Sequence, residues 1–119
     1  MRIIAALLVL VVVALHAGFA VAEIAYWQHP AVMARFETTP EFAKQSAVLA
    51  ANQGVYNALF AIAIAVALFT WQRGMLMVLL ACMIAAGIFG GLTAKPTIIF
   101  VQAVPALIAL GAVALVRTR

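Results

Sequence analysis

The sequence predicts an all-α fold, an integral membrane four-helix bundle, and three observations point there. The chain is 69% hydrophobic and 8% charged, whereas a soluble domain carries roughly 25% charge. A chain of 119 residues is too small to hide that much apolar surface from water. Its apolar residues also fall into four segments near the length of about 20 residues that a membrane helix needs, separated by turns that carry helix breakers.

The first helix is expected over about residues 3–26. It opens with the unbroken apolar run Ile3 to Leu15. Met1-Arg2, this run and Ala20-Val21-Ala22 also match the three parts of a secretory signal peptide. Cleavage after Ala22 would discard His16, so the choice matters, and the reading adopted is a retained helix. A polar loop follows over 28–39. Within it, "AVMARF" after Pro30 suits a short amphipathic turn lying along the interface. Thr39-Pro40-Glu41 reads as N-cap, first helical residue and an acidic first turn, so the second helix is expected over 40–71. The third is expected over 75–92 and the fourth over 97–116. "TWQRGM" and "TAKPT" are the tight turns between them, each with a breaker, Gly74 or Pro96. Together they make a single four-span transmembrane domain.

Charge sets topology more than partnership here. The net charge is +4, but the basic residues are scattered and leave no nucleic-acid footprint. With four spans, Arg2, Arg73, Arg117 and Arg119 share one side, and Arg35, Lys44 and Lys95 share the other. The positive-inside rule then places both termini in the cytoplasm of a multi-pass cell-membrane protein. The lone Cys82 permits no intrachain disulfide, and its ordinary role is a small packing residue.

The polar residues inside the spans carry the functional signal. At 1.5 Å per residue, His16 lies about 21 Å from Arg2, Asn57 about 21 Å from Trp71, and Gln102 about 22 Å from Arg117. Asn52 and Gln53 lie at about 27–28 Å, and Glu23 at about 31 Å. The polar groups therefore gather in the non-cytoplasmic half. His16 and Glu23 are seven residues apart and share a helix face, which Trp27 extends. Polar groups inside a membrane favour the bundle interior or a cavity. The expectation is a pocket with Glu23 and Trp27 at its mouth and His16, Tyr56, Asn57 and Gln102 at its floor. Asn52 and Gln53 would bind beside them. Gly87-x-x-x-Gly91 and the row Ala50, Gly54, Ala58 suit close helix contact, within the chain or in an oligomer. Pro105 is expected to kink the fourth helix beside Gln102. His16, Glu23 and His29 show no recognised metal-ligand spacing, and no cofactor motif is read.

The run His16-x6-Glu23-x3-Trp27, then "LAANQGVYN" (49–57), then "KPTIIFVQAVPAL" (95–107) resembles the bacterial and fungal family of domain of unknown function 1304 (DUF1304). The resemblance covers nearly the whole chain and implies a small four-helix membrane protein whose first helix is retained. It implies no activity. Three functions fit the residues. One is a protein that binds or acts on an amphiphilic small molecule, with Glu23 and His16 as a hypothetical acid/base pair and Trp27, Asn52, Gln53, Tyr56, Asn57 and Gln102 as ligand contacts. The second is an accessory subunit whose polar groups only fix helix packing. The third is a small proton-coupled exporter, although Glu23 lies nearer the rim than a midplane carrier would.

Overall fold

The structure, a computed structural model, describes residues 1–116. The described chain is all-α. It contains α1 (Arg2–Ala25), α2 (Pro30–Phe36), α3 (Pro40–Phe69), α4 (Arg73–Thr93), a π-helical segment (Ile99–Ala103) and α5 (Val104–Ala114). That makes five α-helices where four are expected from the sequence. The additional one, α2, forms inside the polar stretch. Pro30 occupies its first turn, where a missing N–H costs nothing, and His29 Nδ1 accepts the Ala31 N–H at 3.3 Å. Arg117 and Arg119, used in the charge count, lie outside the described residues.

Three helices, α1, α3 and α4, are long and apolar enough to cross a membrane; Ile99–Ala114 forms a shorter apolar helix. The start of α3 follows its sequence signal. Thr39 Oγ1 accepts the Phe42 N–H at 3.2 Å, Pro40 is the first helical residue, and Glu41 lies in the first turn. The end of α3 is less ordinary. Trp71 N–H donates to Leu68 O and Gln72 N–H to Ala67 O, a Schellman closure that places Trp71 at φ 50°. Glycine is the usual residue there, because an L side chain in the left-handed region costs about 1–2 kcal/mol. The indole gains a partner in return: the Arg2 guanidinium lies 4.3 Å from its ring centroid, a cation–π contact.

The chain packs as two units. One joins Met1–Leu15 with the described chain from Ala61 to Val116. Its buried residues recur every three or four positions: Ala5, Val9 and Val12 on α1; Ala61, Ile64 and Leu68 on α3; Leu76, Leu80, Met83, Gly87 and Gly91 on α4; Ala106, Ala109 and Val113 on α5. That spacing gives each helix one buried face. Six of these fourteen are alanine or glycine, and at the glycines the backbones approach closely. A methyl added to Gly87 would lie 2.7 Å from Ala103 N, and one on Gly91 would collide with Ile99. The Gly87/Gly91 row is thus filled from within the chain. The outward faces carry Ile3, Leu7, Val66, Val78, Phe89, Phe100 and Leu107.

Two features of this unit are not read from the sequence. Val104 N–H donates to Ile99 O, five residues back, so the turn before Pro105 is π-helical rather than simply kinked. Gln102 sits in that turn, half-buried. Arg73 also does more than mark a membrane edge. Its guanidinium donates to Val113 O at 3.2 Å and to Ala114 O at 2.8 Å. These are end carbonyls of α5, where the helix dipole is negative. Arg73→Ala is expected to lower stability by about 1.5–3 kcal/mol, the range for hydrogen bonds to a charged group. Thermal unfolding in detergent checks this, and an unchanged midpoint would show that the cap is dispensable.

Candidate functional site

The second unit, His16–Phe60, holds the upper part of α1, all of α2 and the first two thirds of α3. Its buried positions again follow a stripe: His16 and Ala20 on α1, then Ala43, Ala50 and Gly54 on α3. Continued by one turn, the α1 stripe reaches Glu23, with Trp27 just beyond the end of the helix, and the α3 stripe reaches Asn57. All three are half-buried.

The two stripes meet at Gly54. A methyl placed there would lie 2.6 Å from Ile24 Cγ1 and 3.1 Å from both Ala20 O and Glu23 Cβ. Only a residue without a side chain admits α1 at this distance. The approach brings Asn57, one turn further along α3, to Glu23: Asn57 Nδ2 donates to Glu23 Oε2 at 2.7 Å. Gly54, the middle residue of the row Ala50, Gly54, Ala58, is therefore where α3 meets α1 within the chain.

Trp27 closes the end of this seam. Its Nε1–H donates to Ser46 Oγ at 3.0 Å, and that hydroxyl donates to Phe42 O at 2.7 Å. Its ring meets Phe36 of α2 edge-on, with centroids 5.1 Å apart. Trp27 thus ties the end of α1 to both α2 and α3. Tyr26 beside it is exposed, with its ring edge-on to His29 at 6.3 Å.

Within the His16–Phe60 unit, the residues singled out in the sequence separate into those that the fold gathers and those that it does not. Glu23 finds its partner in Asn57, not in His16. His16 is buried, with 1% of its surface exposed, and sits two turns away along α1 with its ring edge-on to Phe19 at 5.7 Å. Asn52, Gln53 and Tyr56 face outward. Asn52 Nδ2 donates to Val48 O of its own helix at 3.0 Å. Gln102 belongs to the other packing unit. Ser46, Phe36 and Gly54 belong to the seam as well. Ser46 lies four residues after Phe42 on α3, a spacing that lets its hydroxyl bond back to the helix, but nothing in the sequence links it to Trp27. Among the described residues, no group of three or more His, Cys, Asp or Glu side chains could hold a metal ion.

These features define a small helical protein in which a carboxylate–amide bond joins two helices, each apolar enough to cross a membrane. The chain belongs to the DUF1304 family, described as a protein of unknown function, whose family model matches residues 10–114. The match takes in every residue of the seam, including the His16-x6-Glu23-x3-Trp27 and "NQGVYN" motifs on which the resemblance rests. No curated protein and no solved structure matches the chain.

Proposed function

We propose that the protein is a small multi-pass membrane protein whose non-cytoplasmic half binds the polar head of an amphiphilic molecule at the α1–α3 seam. In this reading α1, α3, α4 and the Ile99–Ala114 helix each cross the bilayer, and both termini lie in the cytoplasm. The outward belt of large apolar side chains supports insertion, because soluble monomers rarely expose apolar patches beyond a few hundred Å².

The observation that carries the site is the bond between Glu23 and Asn57. Ionisable side chains inside membrane segments are rare and mark functional paths more often than chance placement would. Glu23 is half-buried rather than sealed, so a ligand entering from the outer leaflet can reach it. Catalysis by Glu23 with His16 would need a substrate group or water to bridge about 10 Å along α1.

A second reading, that the pair only staples α1 to α3, is favoured by the contact at Gly54, which already fixes the two helices. Native mass spectrometry of protein released from membranes in mild detergent separates the two. The binding reading expects a retained amphiphile on the wild type and its loss in Glu23→Ala. A bare chain from the native membrane would contradict it.

A further inference from the structure

Glu23 presents more acceptor capacity than the protein uses. An ionised carboxylate offers two oxygens with about four lone-pair sites. Asn57 is its one protein donor among the described residues, and it takes Oε2 alone. That donor is a neutral amide. No arginine, lysine or histidine pairs with Glu23 among the described residues.

The basic groups of this unit are placed elsewhere. Arg35 is exposed on α2 and has an interaction of its own. Lys44 is exposed, thirteen residues before Asn57 on α3, or about 20 Å along the helix. His29 Nδ1 accepts from Ala31. The site therefore holds a carboxylate without a counter-ion, in surroundings where an unpaired charge is costly.

The chain just beyond the end of α1 supplies aromatic surface. Trp27 lies four residues after Glu23, half-buried, its indole N–H donating to Ser46 Oγ. Tyr26, beside it, is 53% exposed. A carboxylate followed within four residues by a phenol and an indole supplies the two attractions that alkylated ammonium groups use, charge and cation–π contact. An anionic head group would meet the carboxylate with no cation to offset it.

We propose that the ligand of this seam is a cationic amphiphile: an amine or quaternary ammonium on an apolar tail, with Glu23 as its counter-ion and Trp27 as its aromatic wall. The proposal rests on the amphiphile-binding reading and narrows it to one head-group charge. The test is calorimetric titration of the full chain in a non-ionic maltoside detergent with three dodecyl probes: trimethylammonium, the neutral alcohol and the phosphate. The trimethylammonium probe is expected to bind at least about tenfold more tightly than the other two. Glu23→Gln should abolish that preference while leaving the fold intact, because glutamine keeps a carbonyl for Asn57. Equal binding of all three probes to the wild type, or a preference that survives Glu23→Gln, would overturn the cationic assignment and leave the amphiphile reading standing. Binding of none of the three would overturn both.

Discussion

Exchanging Gly54 for leucine is expected to part α1 from α3 in the His16–Phe60 unit. Even a single methyl at this position would lie 2.6 Å from Ile24 Cγ1 and 3.1 Å from the Ala20 carbonyl. The isoleucine can turn aside, but the carbonyl belongs to a helix and cannot move alone. Overpacking of this kind costs about 1–3 kcal/mol, so Gly54→Ala should fall in that range. Gly54→Leu should exceed it, because the larger side chain must displace the helix itself. The Asn57–Glu23 bond one turn away would then be lost as well. Thermal stability in detergent ranks the variants, and a Gly54→Leu protein as stable as the wild type would show that the close approach is unnecessary.

The second large effect is expected at Asn57. Asn57→Leu keeps a similar size but removes the one protein donor to Glu23. A polar group stripped of its partner in a partly desolvated site costs about 1–3 kcal/mol. Glu23→Gln retains a carbonyl at the same place and should cost well under 1 kcal/mol, the scale of an ordinary interhelical hydrogen bond in a membrane protein. Glu23→Ala should lie between the two, because Asn57 can turn its amide to other acceptors. The order Asn57→Leu, Glu23→Ala, Glu23→Gln, from most to least destabilised, is the expected result of unfolding each variant in one detergent. Should Glu23→Gln destabilise as much as Asn57→Leu, the bond between them would not be a simple donor–acceptor pair.

Much of this arrangement is legible in the sequence, because membrane helices are written in composition. The long apolar runs give α1, α3 and α4, and Thr39-Pro40-Glu41 gives the start of α3 to the residue. The seven-residue spacing of His16 and Glu23 gives their shared stripe, and small residues at 50 and 54 give the face of α3 that α1 approaches. The angular position of Asn57 relative to Asn52, Gln53 and Tyr56 is less easily read. The four residues span a wide arc, and only packing shows that the stripe through Ala50 and Gly54 continues to Asn57 and leaves Tyr56 outside.

Other features rest on contacts that no local pattern specifies. Trp27 reaches Ser46 across nineteen positions of chain. Arg73 reaches the end of α5 across forty. Each bond depends on where another helix lies, and a single helix's sequence does not encode that. Trp71 and Glu37 take left-handed conformations without being glycine or asparagine, so the usual sign of such a helix stop is missing. The π-helical turn illustrates a partial signal. Pro105 announces that the ladder is broken, but not that the chain responds by widening one turn to reach Ile99 O.

Glu23→Gln decides whether Glu23 serves a ligand as well as Asn57, when bound amphiphile and unfolding temperature are measured on the same membrane-extracted sample. A ligand site at Glu23 predicts an unfolding temperature close to that of the ligand-free wild type, with the retained amphiphile gone from the native mass spectrum. A Glu23→Gln protein that keeps the same adduct at the same occupancy as the wild type would contradict it, and would leave the carboxylate as a staple between two helices.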